Sequence, residues 1–226
     1  MLVPSGQEIE GPGARIRVHG ELVPIAEVEL SGGEGVYFEH HIVLAKDPSV
    51  ELTIHPLGRG LARRLLGGLP LVLLAARGSG RISFSRDGVG QMVALTLNGE
   101  AIDVMEHRFV CASDHVTYGY QRVRGLINMF GSGTGFWMDR FEGTGVVLLH
   151  AYGNVVERTL DVGEEVDVEP GSWLYKDPGV SMHMRLVSLK QGLFASSQGF
   201  TMARFRGPGR IAYQSLTPIL EAQTGE

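Results

Sequence analysis

Gly143-Thr144-Gly145-Val146-Val147-Leu148-Leu149 is the stretch on which the fold turns, because the chain repeats its form elsewhere. Gly11-Pro12-Gly13 precedes Ile16 and Val18, Gly78-Ser79-Gly80 precedes Ile82 and Phe84, and Gly207-Pro208-Gly209 precedes Ile211 and Tyr213. The four copies stand roughly 65 residues apart, the mark of a repeated structural unit. Two further markers keep the same order. Gly33-Glu34, Gly99-Glu100 and Gly163-Glu164 each lead into alternation, at Val36/Phe38, Ile102/Val104 and Val166/Val168. An apolar triplet then leads to an aspartate: Ile42-Val43-Leu44 to Asp47, Phe109-Val110-Cys111 to Asp114, and Trp173-Leu174-Tyr175 to Asp177.

Alternation with a period of two makes strands with one buried face, and such hairpins close into a sandwich or barrel. The sequence therefore predicts a single all-β domain over 1–226. Its repeats cover 11–77, 78–142 and 143–206, and a closing strand at 207–214 opens a fourth unit that never finishes. Three units that each bury one face against the others predict a pseudo-threefold body. Helix is expected at most in the connectors, as around Leu61, Leu65 and Leu66, where paired glycines close the segment.

Composition agrees. The 32 glycines in 226 residues require many tight turns, and no doubly wound pattern of long crossover helices is legible. A net charge of −5 supplies no overall positive field, so nucleic acid is not an expected partner. Met1 to Glu8 lacks the charged start and apolar core of a secretory leader, and Leu69 to Ala76, the longest apolar run, is far too short to span a bilayer. The expected location is the cytoplasm. Cys111 is the single cysteine, which rules out an internal disulfide and a thiolate metal cluster.

Gly33-Glu34-Gly35-Val36-Tyr37-Phe38-Glu39, Lys46-Asp47-Pro48-Ser49-Val50, Met138-Asp139-Arg140-Phe141-Glu142-Gly143-Thr144-Gly145 and Met202-Ala203-Arg204-Phe205-Arg206-Gly207-Pro208-Gly209 together resemble the bacterial and mitochondrial family named for altered inheritance of mitochondria 24. The resemblance covers nearly the whole chain. It implies a fold similar to the tryptophan RNA-binding attenuator protein, a double-stranded β-helix. It implies no established enzyme activity, and mitochondrial members are implicated in inner-membrane organisation. The stretch Gly163 to Trp173 also resembles a cupin turn, but the His-x-His pair of a cupin metal site is absent.

Candidate sites are few. Asp47, Asp114 and Asp177, with Lys46 and Lys176 beside two of them, form a candidate polar ligand site if the turns converge; separately, each aspartate bonds its own turn. Glu39-His40-His41 and Glu106-His107 occupy matching places and suggest a metal site. The third unit has Glu169-Pro170-Gly171 there, which is turn chemistry, so no metal is expected. Gly131-Ser132-Gly133-Thr134-Gly135 lacks the lysine and following helix of a phosphate loop. No nucleophile elbow appears, and Cys111 sits in an apolar triplet that reads as core. Arg77, Arg81, Arg204, Arg206 and Arg210 flank equivalent glycine turns as a possible RNA stripe or as solvated strand ends.

The expected function is therefore a non-catalytic binding or scaffold protein with no cofactor and no catalytic residue. It would engage a protein partner or a second copy of itself as a homo-oligomer. A small-ligand pocket between repeats is the alternative, with RNA binding behind it.

Overall fold

The structure, a computed structural model, describes residues 2–12, 14–56, 72–123, 136–187 and 200–217. Gly13, the Leu61 to Leu66 segment, the Gly131 to Gly135 loop and the connectors around them lie outside the described residues. What is described is β-structure throughout, apart from one three-residue 3-10 turn at His40–Ile42. Among the described residues no helix is long and apolar enough to cross a membrane.

Alternation sets the faces. β1 is Leu2–Val3 and β2 is Glu8–Gly11. In β3 (Ala14–His19) Ala14, Ile16 and Val18 point inward while Arg15, Arg17 and His19 are exposed, and β4 (Ile25–Ser31) buries Ala26, Val28 and Leu30 against them. β5 (Val36–Glu39), β6 (Val43–Lys46), β7 (Val50–Ile54) and β8 (Leu73–Ser85) follow. The middle of the chain holds β9 (Gly90–Met105), β10 (Phe109–Ser113), β11 (Val116–Val123) and β12 (Phe136–Tyr152). The last part holds β13 (Val155–Leu160), β14 (Glu165–Val168), β15 (Trp173–Lys176), β16 (Ser181–Val187), β17 (Phe200–Arg206) and β18 (Gly209–Gln214).

Every pairing is antiparallel. One large sheet runs β13-β18-β15-β9-β12-β10-β5-β8-β4-β3-β2, with β1, β11, β6 and β7 attached beside it, and a second runs β14-β17-β16. The pairings within each part of the chain correspond. β4 pairs with the second half of β8, the first half of β9 with the second half of β12, and β13 with β18. β5 and β7 take the first half of β8, the second half of β9 and β11 take the first half of β12, and β14 and β16 take β17. β6 joins β8, β10 joins β12, and β15 joins β18, each with a bulge in the same place.

The sequence predicts that each Gly-x-Gly opens a strand. Instead, Gly78 to Gly80 and Gly143 to Gly145 lie inside the long strands β8 and β12, at the point where each strand leaves one set of partners for another. Gly80 has φ +141 and Gly145 φ +150, a backbone that a side chain disfavours. A Cβ on Gly145 would stand 2.8 Å from Ser113 Cβ, so the glycine lets a turn press against the bend. Likewise, Gly99-Glu100 lies within β9, while Gly163-Glu164 lies between strands.

Among the described residues the buried side chains form three clusters. The first gathers Ile16, Val28, Phe38, Ile82 and Phe84. The second gathers Leu95, Ile102, Val104, Phe109 and Phe141. The third gathers Leu160, Val168, Trp173, Phe205 and Ile211.

Candidate functional site

The three aspartate turns engage their neighbours differently. Asp47 Oδ2 accepts from the Arg81 backbone N–H at 2.9 Å, and Asp177 Oδ2 accepts from the Arg210 backbone N–H at 2.8 Å. In the middle stretch the corresponding N–H, on Val146, donates to Ser113 Oγ at 3.1 Å. Asp114, one residue later, instead accepts from the Gly35 backbone N–H at 3.1 Å and pairs with Arg77 at 2.8 Å. The carboxylates of Asp47 and Asp177 thus each hold a turn against the neighbouring strand, whereas that of Asp114 holds the loop before β5 and Arg77 of β8.

The two lysines also part company. Lys46 is exposed, and its Nζ donates to the Val50 carbonyl at 2.9 Å and the Asp47 carbonyl at 3.3 Å. Lys176 is buried, and its Nζ donates to Asp103 Oδ2 at 2.8 Å. The other oxygen of Asp103 accepts from Arg140 Nε at 2.7 Å. Register explains the cluster: on three adjacent strands Lys176 lies opposite Asp103, and Asp103 opposite Arg140. The Gln121 carboxamide lies against the same guanidinium, and Tyr118 donates to the neighbouring buried Asp139 at 2.6 Å. The Tyr175 hydroxyl donates to Glu157, and burial first, then that carboxylate, push its pKa up. The third stretch has a matching bidentate pair, Arg204 to Asp167 at 2.7 Å, again in register.

A second buried polar group surrounds the Glu39 and His107 turns. Arg86 donates to Glu39 and to the Phe109 carbonyl. Arg108 donates to the carbonyls of Glu106 and His107 and lies 4.9 Å over the Tyr152 ring. Burial pulls the Arg108 pKa down to about 10. His150 is fully buried, and burial together with Arg86 and Arg108 pulls its pKa down to about 4, so the ring is neutral near pH 7. Burial holds the Cys111 thiol at about 12, which leaves it unreactive in the folded protein. Among the described residues no group of three or more His, Cys, Asp and Glu is arranged to hold a metal ion.

Of the arginine stripe, Arg77 pairs with Asp114, Arg81 with Glu27, Arg204 with Asp167 and Glu165, and Arg210 with Asp177. Arg206 lies opposite Ser181 and Glu165 at the end of β17. Sequence reasoning missed Asp103, Arg140 and the Arg86–Arg108–His150 group. A signal existed for the first: Asp103 and Asp167 are carboxylates set into apolar alternation four residues after matching glycines. Nothing local marks the second.

A groove of about 360 Å³ lies between β13, β18 and β14, walled by Val156, Val166, Val168 and Tyr213. Gln214 lines it and is buried; its side-chain oxygen accepts from the Tyr152 N–H, and its Nε2 has no hydrogen-bond partner.

Fold and buried pairs together define an antiparallel all-β protein whose strands are locked by cross-strand ion pairs. A crystal structure of a protein from Streptococcus pyogenes, one of seven matching chains of solved structures, shares this fold at a TM-score of 0.70. It is 22% identical and covers 90% of this chain and 94% of its own. No curated protein matches. Residues 16–216 match the family described as mitochondrial biogenesis AIM24, and the chain belongs to that family.

Proposed function

We propose that the chain is a non-catalytic binding or scaffold protein, its body a double-stranded β-helix of three pseudo-threefold units with boundaries near 11–77, 78–142 and 143–206. The single observation that carries the reading is where the charged groups go. Asp47 and Asp177 take backbone N–H groups, Asp103 is shared by Lys176 and Arg140, and Arg86 takes Glu39. Groups spent on holding strands in register are not poised for proton transfer or nucleophilic attack. The corresponding strand pairings support the three-unit part of the reading.

A turnover screen over ester, phosphate ester, peptide and glycoside substrates is expected to stay at the buffer rate. Turnover that follows the purified protein and disappears in Asp103→Asn would refute the proposal. A second reading, a small-ligand site, is favoured by the groove between β13, β18 and β14, whose walls at Val156, Val166, Val168 and Tyr213 suit a small apolar ligand. The groove lies within the third stretch rather than between repeats. Ligand-induced thermal stabilisation that is lost in Val156→Glu, at an exposed position of the groove wall, tests it.

A further inference from the structure

The two junctions between successive stretches use one geometry. β10 lies against β5 with Cys111 opposite Phe38 and Ala112 opposite Tyr37. β15 lies against β9 with Tyr175 opposite Val104 and Lys176 opposite Asp103. Bulge positions put the three joining strands in a common frame: Ala45, Cys111 and Tyr175 follow the bulge, and Lys46, Ala112 and Lys176 come next. The receiving strands share a frame as well. Tyr37, Asp103 and Asp167 lie opposite Ala75, Arg140 and Arg204. A third junction of this kind would set Ala45 opposite Val168 and Lys46 opposite Asp167.

The chain carries both halves of that junction, unjoined. Among the described residues β6 pairs with β8 alone and β14 with β17 alone. Burial records the difference. β10 and β15 are buried along their whole length, whereas Leu44, Ala45 and Lys46 of β6 are exposed. β5 is buried throughout, whereas β14 exposes Glu165 and Asp167.

At each existing junction the bulge residue enters the core of the preceding stretch. Val110 belongs to the first cluster and Leu174 to the second, and both are 0% exposed. Their counterpart Leu44 is 56% exposed. The charges also match: Asp167 already has Arg204 as Asp103 has Arg140, and Lys46 is the counterpart of the lysine that completes the buried cluster.

We propose that β14 of one copy pairs antiparallel with β6 of a second copy, Lys46 facing Asp167 and Leu44 entering the third cluster, so that chains join head to tail. The inference rests on the three-unit reading above. Unpaired edges of this kind are templates for strand addition. Because the two edges differ, the contact is heterologous, and it builds rings or filaments rather than a twofold dimer.

Sedimentation velocity of the full chain over a range of concentrations tests the interface. The wild-type chain is expected to grow with concentration beyond the monomer. Lys46→Glu and Asp167→Lys, both at exposed positions, each weaken association by about tenfold or more. The Lys46→Glu/Asp167→Lys double variant, or a mixture of the two single variants, restores assembly, which also shows that the variants are folded. A chain that stays monomeric at every concentration overturns the proposal, as does an assembly that neither variant alters. A monomeric chain would leave the scaffold reading standing, and turnover in the substrate screen would leave this interface standing.

Discussion

Replacing Asp103 by alanine removes the carboxylate that bridges Lys176 and Arg140. Asp103 is 1% exposed and Lys176 4% exposed, so the ammonium left behind keeps little water and loses its counter-charge. Removing one partner of a buried pair costs about 3–5 kcal/mol, because the surviving charge remains desolvated. For a chain of this size that corresponds to a fall in melting temperature of roughly 6–20 °C. Replacing both partners with apolar residues of similar volume, as in Asp103→Leu with Lys176→Met, removes the stranded charge and is expected to recover most of the loss. Urea unfolding of wild type, the single variant and the double variant gives the three free energies directly. A single variant within about 1 kcal/mol of wild type would refute the reasoning, because it would mean that the ion pair is worth no more than a solvated surface pair.

His150 predicts a pH dependence. Its folded pKa, about 4, lies below the unfolded value of 6.5, so the unfolded chain binds the extra proton first as pH falls. The contribution of the neutral ring is complete above pH 6.5, declines as pH falls to about 4, and amounts to about 3 kcal/mol in total. His150→Phe should flatten the unfolding midpoint over that window; an unchanged pH profile would count against it. Cys111 should resist thiol reagents in the folded protein and react on unfolding, and fast labelling of the native chain would contradict its burial. Gly145→Ala places a Cβ 2.8 Å from Ser113 at φ +150, and is expected to cost more than about 1 kcal/mol in chemical unfolding. Arg17→Ala, on the exposed charge ladder with Glu8, should leave the midpoint near wild type, and a large drop would show that the ladder matters more than screening allows.

The strands were legible in the sequence because each is set by a local rule. Ile16 and Val18, Ile82 and Phe84, and Ile211 fall on buried faces, as alternation requires, while the unbroken apolar run Val146 to Leu149 is buried on both faces of β12. Matching spacing also pointed to the Lys46-Asp47 and Lys176-Asp177 turns, and both aspartates bond across to glycine bends. The sequence match placed Asp114 beside them, but counted from the bulge that β6, β10 and β15 share, the place of Asp47 and Asp177 falls to Ser113, which takes the equivalent bond. A bulge leaves no mark in composition, and the spacing of apolar triplets does not reveal which residue fills it.

Which side chains would be strands, and which faces they would bury, was determined by the order of apolar and polar residues. Tertiary structure alone decided that Lys176 meets Asp103 across 73 residues of chain, while Lys46, in the same turn sequence, stays in solvent. The physical reason is that alternation acts between neighbours along one strand, whereas the fate of a charge depends on which strand is laid beside it. Lys176 lies on a strand with β9 beside it, and among the described residues Lys46 lies on one that has β8 alone.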